Sequence, residues 1–525
     1  MTTDFDPMDH IDDDFLEAIG DPPPQSSRRD TNRTETCDTT EQIFNLTDVG
    51  NGKRLVAHYG VRIRYCHNRG KWLLYDGTRW AWDERGEIYW LAKETIRTIY
   101  REAGDAANPR TRVKIAEHAK RSEADPRIKA MVSQAKSEPT IPVKLEDFDA
   151  DPMKFNVRNG TIDLLTGSLL PHDPSDLITR LAPVTFDQEA TSITWYIFLS
   201  RIMNGNKDLL RFLQRFFGYA LTGKVAEQCL LLAYGTGSNG KSTLIETIRK
   251  ILGDYAATSD FQTFAVRKNE TVNNDLARLI GARLVTAAEG NDGLRFDEGI
   301  IKRVTGGDTI TTRFLYNEYF EYQPQFKLIL GTNHKPRIRG TDHSIWRRMR
   351  LLPFTVTIPD EEQDKSLAEK LLVDSPGILN WILRGCSVWQ QDGLGLPEEV
   401  KNATAEYRSD EDMLSGFIAD RCIVVKTAKE TASDLYKAHK EWAEGAGERP
   451  VSKITLGKRL AERGFEQDRG SRGVRGWRGI RLRNAADDAC DTLPEETPRE
   501  ENSKGLRLNV SNISSLDIQK IWEGG

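Results

Sequence analysis

Residues 235–242 read Gly-Thr-Gly-Ser-Asn-Gly-Lys-Ser, with glycine at the first and sixth positions and Lys-Ser closing the run. That spacing suits phosphate chemistry. Gly235, Gly237 and Gly240 allow the backbone N–H groups of a loop through Thr236, Ser238 and Asn239 to turn inward onto phosphate oxygens. Lys241 would then reach the β- and γ-phosphates and the Ser242 hydroxyl would ligate Mg²⁺. The flanks agree: the apolar run 229–234 reads as a buried strand, and Thr243 opens a helical stretch whose N-terminus favours anions. The chemistry served is the binding of ATP with Mg²⁺. A glycine loop that merely turns the chain would not need both flanks.

Three downstream segments add groups that such a site uses. Residues 283–289 form a strand pattern ending in Glu289, a carboxylate that could hold Mg²⁺ through water and activate an attacking water. Residues 326–332 form another strand pattern ending at Asn333, suited to sensing a γ-phosphate or orienting water. The cluster 345–350 contains Arg347, Arg348 and Arg350. After three phosphate-handling elements it suggests an arginine finger reaching a neighbouring subunit's nucleotide. Spacing does not separate Arg347 from Arg348 for that role.

In this order, together with Ile301-Lys302-Arg303-Val304-Thr305-Gly306-Gly307-Asp308 and Leu330-Gly331-Thr332-Asn333, the chain resembles superfamily 3 helicases. More narrowly, it resembles the phage and plasmid primase-helicase group related to the poxvirus primase-helicase. The likeness extends upstream through residues 156–164 and downstream to about residue 483, leaving only the two tails outside. It implies an α/β fold: an AAA+ P-loop ATPase core, a mixed α+β N-terminal domain and a C-terminal winged-helix-like domain. It also implies a homohexameric ring translocating 3′→5′ on single-stranded DNA. Glu289 becomes the catalytic or metal-linked acid, Asn333 the sensor, and Arg347 or Arg348 the finger. One departure stands out. Many members carry two adjacent acids at the second motif, whereas Ala288 precedes Glu289 here, and Asp292 lies beyond a Gly-Asn turn.

For DNA, the resemblance makes residues 305–316 a hairpin pointing into the ring channel, with Thr305 at its start. Lys302, Arg303 and Arg313 supply the charge that phosphates require; Lys327 and the pair His334-Lys335 are weaker candidates. A second candidate surface lies near the C-terminus. Stretches 433–442 and 455–463 read as amphipathic helices, followed by two strands around the Arg-Gly loop 469–476. Between residues 453 and 483 there are ten Lys/Arg, including Lys458, Arg459, Arg472 and Arg475, against three acids. A local net charge of about +7 attracts duplex phosphates. Helix, helix and β-ribbon together suggest a winged helix with this loop as its wing.

These groups must be held by a chain of 525 residues with net charge −5, 38% hydrophobic and 29% charged. The slight negative balance conceals segregated charge. No apolar run approaches the ~20 residues that span a bilayer. The six cysteines are far apart with no C-x-x-C pair, which fits a reducing host cytoplasm and argues against zinc ribbons and secreted disulfide scaffolds. The pattern divides into an acidic tail (1–42), an N-terminal α+β domain (43–182) and a helical collar (183–222). The ATPase core (223–359), a helical part (360–431), the winged-helix-like domain (432–484) and an acidic linker and tail (485–525) follow. Within the N-terminal domain, strands flank an Asp-Gly turn at 76–77, helices cover 87–103, 111–121 and 126–136, and a hairpin spans 159–170. Primer synthesis needs a carboxylate cluster binding two metals. The acids of Asp147-Phe148-Asp149-Ala150-Asp151-Pro152 imitate one, but Pro152 ends the run without accompanying basic residues. The expectation is therefore a DNA-unwinding ATPase without primase chemistry, partnered by DNA, copies of itself and a separate primase or polymerase. The competing reading is a nucleotide-switched initiator that binds an origin without processive unwinding.

Overall fold

The computed structural model describes residues 44–266, 274–288, 295–313, 319–338, 343–411, 413–446, 450–469 and 475–484. They form two compact units. One comprises residues up to 292 with 299–334 and 350–400; the other comprises 293–298, 335–349 and the chain from 401. Architecture is mixed α/β.

The first unit opens with α1 (Asp48–Tyr59), β1 (Ile63–Cys66), β2 (Lys71–Tyr75) and β3 (Trp80–Trp82). Helices α2 (Glu87–Asp105), α3 (Pro109–Ser122) and α4 (Asp125–Ala135) follow, then β4 (Pro142–Val143), giving a sheet of order β3-β2-β1-β4. Helix α1 was illegible from sequence because Asp-Val-Gly-Asn-Gly reads as a turn. Both glycines are instead close-packing positions. A Cβ on Gly50 would lie 1.9 Å from Asn45 O, and one on Gly52 2.9 Å from the Gln134 Cβ. In the same helix Arg54 is only 2% exposed and grips Glu102 of α2 through Nε and Nη2 at 2.8–3.0 Å.

A three-stranded meander, β5 (Lys154–Val157), β6 (Gly160–Asp163) and β7 (Ser168–Leu170), leads to α5 (Ile193–Ile202) and α6 (Lys207–Leu221). The sequence reads 183–222 as a helical collar; the structure breaks its helical part in two. Asn204 and Gly205 adopt left-handed φ of 52° and 68°, and the Asn206 side chain caps α6 by accepting from Asp208 N and Leu209 N at 3.0 Å.

The central sheet contains β8 (Leu230–Tyr234), then α7 (Lys241–Leu252) and β9 (Ala256–Asp260). After the one-turn helix α8 (Asn274–Ala277) come β10 (Leu284–Ala288), α9 (Glu298–Gly306) and the hairpin β11 (Ile310–Thr312) and β12 (Phe320–Tyr322). Strand β13 (Lys327–Thr332), the short α10 (His343–Trp346) and β14 (Met349–Pro353) complete this stretch. The sheet order is β14-β8-β13-β10-β9, and β8, β13, β10 and β9 run parallel. Parallel strands covered on both faces read as continuous apolar runs, and Leu230, Leu231, Leu232 and Ala233 are all at most 2% exposed. Helices α11 (Leu367–Val373) and α12 (Ser375–Asp392) follow, and α12 lies across α6. Glycines make the crossing possible: a Cβ on Gly218 would sit 2.0 Å from Cys386 N, and one on Gly385 2.0 Å from Gln214 O.

Two buried cations pin this unit together. Arg283 donates to Leu221 O at 2.5 Å and Lys154 O at 2.7 Å. The Lys327 ammonium donates to Thr222 O, Lys224 O and Gln325 O. Burial, reinforced by nearby Arg283, pushes the Lys327 amine well below its ordinary range. Lys327 was a weak DNA candidate by charge; at 1% exposed it fastens the chain leaving α6 to β13 instead.

Toward the C-terminus lie α13 (Glu398–Asp410), α14 (Met413–Arg421) and β15 (Cys422–Thr431). Helices α15 (Ala432–Gly445) and α16 (Lys453–Glu462) and strands β16 (Glu466–Arg469) and β17 (Arg475–Leu482) complete the second unit. The sheet order is β15-β17-β16, all antiparallel. The sequence reading begins this module at 432, yet its core includes Leu414, Phe417 and Ile418 of α14. Strand β15 escaped notice because its pattern is interrupted: the register shifts between Val424 and Lys429.

Candidate nucleotide site

Parallel register brings three strand tips to one edge of the sheet. Tyr234 pairs with Thr332, and Ala288 pairs with Gly331. The next residues in the chain are Gly235, Asn333 and Glu289, so three sequence candidates follow three neighbouring tips. Ligands of open α/β sheets bind at this carboxyl edge. Glu289, like Asp292, lies outside the described residues.

The 235–242 loop departs from β8 under tight constraint. A Cβ on Gly235 would come within 2.4 Å of Asn239 Nδ2 and 2.6 Å of Phe354 O. Gly237 and Gly240 have φ of 109° and 79°, and Ser238 adopts 46° despite its side chain. Gly240 also lies against α5, where a Cβ would be 2.5 Å from the Ile202 Cγ2. The loop is tied down from outside by Ile358 N to Ser238 O at 2.7 Å and Gly235 N to Thr332 O at 3.3 Å. Thr236, Ser238 and Ser242 are exposed, Thr243 is half-buried, and Asn239 and Lys241 are buried.

The Lys241 ammonium donates to Gly235 O and to Asn333 Oδ1, the latter at 2.9 Å. Asn239 Oδ1 accepts from Lys241 N at 3.4 Å. Its Nδ2 is buried with no hydrogen-bond partner, and no side chain caps the first turn of α7 at Gly240. A buried orphan donor beside an uncapped helix N-terminus and a lysine is a donor set that fits phosphate oxygens.

The arginines differ in exposure. Arg347 is exposed. Arg348 is 7% exposed and its Nη1 donates to Ser344 O at 2.8 Å, so its guanidinium fixes the local turn. Among the residues expected to meet DNA, Arg303 is exposed and Lys302 half-buried on α9. Thr305 is 4% exposed and its hydroxyl donates to Ile301 O at 2.6 Å, within its own helix. Arg313 follows β11, with its guanidinium 4.9 Å from the Tyr319 ring across the hairpin; residues 314–318 lie outside the described residues. Lys335 pairs with Asp410 at 3.0 Å within the second unit. Lys458 and Arg475 are exposed, Arg459 is half-buried, and Arg472 lies outside the described residues.

The acids at 147–151 are engaged with backbone donors, Asp147 and Asp151 in local turns and Asp149 across to Thr179, 30 residues on. Asp147 Oδ2 accepts from Lys144 N at 2.8 Å, Asp149 Oδ1 from Thr179 N at 2.8 Å, and Asp151 Oδ1 from Met153 N at 2.8 Å. No helix among the described residues is long and apolar enough to cross a membrane.

Comparison with known proteins finds two family matches along the chain and several viral relatives. Residues 52–204 match the family described as D5 N terminal like, and residues 233–348 match a family of unknown function, DUF5906. A provisionally named helicase of Acanthamoeba polyphaga mimivirus is 27% identical over 322 residues, covering 57% of this chain and 34% of that protein. A provisionally named helicase of frog virus 3 is 28% identical over 291 residues, covering 51% and 30%. A provisionally named primase of African swine fever virus is 23% identical over 326 residues, covering 57% and 34%. The chain thus spans about a third of the length of the curated relatives it matches. Among solved structures, the match to the apo C-terminal region of NrS-1 covers 82% of this chain and 99% of that one, with 12% identity and a TM-score of 0.48. The family match and the viral relatives support kinship with D5-like proteins.

Proposed function

We propose that this chain is an ATP-hydrolysing DNA motor acting in replication, a superfamily 3 helicase with an AAA+ core that works as a ring of copies moving 3′→5′ on single-stranded DNA. The observation that carries the reading is the Lys241 ammonium bonded to Asn333 at the carboxyl edge of a parallel sheet. Backbone donors of the 235–240 loop and Asn239 Nδ2 bind the phosphates, and Lys241 balances their charge. Asn333 orients the attacking water and Glu289 removes its proton. Mg²⁺, held by Ser242 and partly through water by Glu289, would neutralise charge on the β- and γ-oxygens. Arg347 is the finger candidate, since Arg348 is buried against its own turn. The β11–β12 hairpin, with Lys302, Arg303 and Arg313, is the element that grips DNA.

The names of the viral relatives, helicase and primase, support a place in replication. The backbone hydrogen bonds that occupy Asp147, Asp149 and Asp151 favour unwinding over primer synthesis for this stretch of chain. A forked duplex with ATP tests the proposal: strand release by the wild-type chain, lost in Glu289→Gln with ATP binding retained, is expected. ATP hydrolysis without strand release would favour the second reading, a nucleotide-switched initiator. That reading draws on the basic C-terminal module, a winged-helix candidate in which Lys458 and Arg475 are exposed.

A further inference from the structure

One face of α2 carries aromatic rings and cations in alternation. Tyr89, Trp90, Lys93, Arg97, Tyr100 and Arg101 are all exposed, whereas Ile88, Leu91, Ala92, Ile96 and Ile99 of the same helix are at most 3% exposed in the core. Steps of three and four residues align the exposed side chains along one stripe. Trp90 is 59% exposed, Tyr89 42% and Tyr100 39%. An indole that open is costly to leave in water on a soluble face, and neighbouring cations argue against an apolar partner. The Tyr100 hydroxyl donates to Glu123 Oε1 at 2.9 Å, which brings the stripe beside the end of α3, where Lys120 and Arg121 are exposed. Arg97 pairs with Glu94, but Lys93 and Arg101 add two exposed charges next to the rings.

From these placements we infer that the exposed face of α2 is a tracking surface for single-stranded DNA, in which Trp90 and Tyr89 stack on bases while Lys93, Arg97 and Arg101 follow the phosphates. Stacking on aromatic platforms within a cationic groove is how strands are held without sequence preference. From residue 89 to 101 the helix rises roughly 18 Å, enough for about five stacked nucleotides. This surface lies outside the nucleotide site, the β11–β12 hairpin and the C-terminal module, and its biological meaning rests on the DNA-motor reading above.

The test uses the full-length chain and fluorescence anisotropy of a labelled oligo-dT strand, with ATPase activity and thermal melting measured alongside. Trp90→Ala should weaken strand binding on the order of ten-fold, while Trp90→Phe, which keeps a stacking ring, should stay within about three-fold of wild type. Lys93→Glu with Arg101→Glu should weaken binding and flatten its dependence on salt by about 1.4 log units per log unit. Basal ATP hydrolysis and melting should not move, because these side chains are on the surface. Photocrosslinking of an iodouracil strand should place adducts on Tyr89 or Trp90. Unchanged strand affinity in Trp90→Ala and in the double charge reversal would overturn this surface and leave the motor reading standing. A wild-type chain that binds no single strand would overturn both. A change in oligomeric state with strand affinity intact would reassign the face to contacts between copies.

Discussion

The Lys241 ammonium and the Asn333 side-chain oxygen lie 2.9 Å apart although 92 residues separate them in the chain. The contact follows from strand order: β8 and β13 are adjacent and in parallel register, so the loops leaving their tips must meet. Asn333→Ala should therefore lower ATP turnover by about 10²-fold while nucleotide affinity changes little. Lys241→Ala should abolish hydrolysis in a chain that still melts cooperatively. Steady-state hydrolysis and nucleotide titration check both. Wild-type turnover in Asn333→Ala would remove this residue from the reaction.

How much of this was legible beforehand depended on whether the signal was local. The strand, glycine loop and helix around Lys241 are a contiguous pattern, and the elements lie where it places them. The hairpin at 159–170 was equally readable. Helix α1 was not, because Gly50 and Gly52 carry a turn signal locally and answer to Asn45 and Gln134 only in the packed structure. Charge alone also misled at Lys327, whose surroundings are set by β13 and the end of α6 rather than by its neighbours in sequence. Nor could exposure be read at Arg347 and Arg348, adjacent residues that face opposite environments.

A buried polar network links α1 to α3 and makes stability depend on pH. His118 Nε2 meets Asn51 Oδ1 at 2.9 Å, so that nitrogen must carry the proton, and Asn51 Nδ2 donates to Ser122 Oγ at 3.0 Å. Burial, then the charge of Arg54, holds the His118 imidazole below its usual value of 6.5. The folded chain thus binds fewer protons than the unfolded chain between the lowered value and 6.5. Its contribution is present above pH 6.5 and is lost as pH falls through the folded value. Melting of the wild-type chain between pH 7.5 and 5 should show this loss. His118→Gln, whose amide can still donate to Asn51, should flatten it. An identical pH slope in the variant would exclude His118 as the cause.

The proposed DNA-binding role of the C-terminal module can be tested by truncation, and the structure dictates where to cut. Removing residues from 432 onward would leave β15 without β17, its partner in the sheet. Ending the chain after Glu411 keeps α13, whose Tyr407 packs edge-on against Trp346 at 5.2 Å and bonds Pro336 O. That truncation should retain ATP hydrolysis and bind duplex DNA more weakly. The salt dependence should fall by about 0.9 for each phosphate that the module would otherwise neutralise. Duplex affinity and salt slope matching the full chain would refute a DNA-binding role for the module.

Arg347 makes the ring hypothesis most exposed to failure. Its neighbour Arg348 is buried and bonds Ser344 O, so Arg348→Ala should cost about 1–3 kcal/mol of stability and be visible in melting. Arg347→Ala should instead depress hydrolysis with melting and nucleotide affinity unchanged, because an exposed side chain contributes little to the core. If the finger acts on a neighbouring copy, mixing Arg347→Ala with Lys241→Ala chains should recover part of the activity. Some interfaces would then join an intact Lys241 to an intact Arg347. A finger serving its own chain's nucleotide permits no such recovery, since every chain in the mixture lacks one of the two groups. Labelled subunits that demonstrably exchange and yet hydrolyse no ATP would count against a shared site, and with it against the ring.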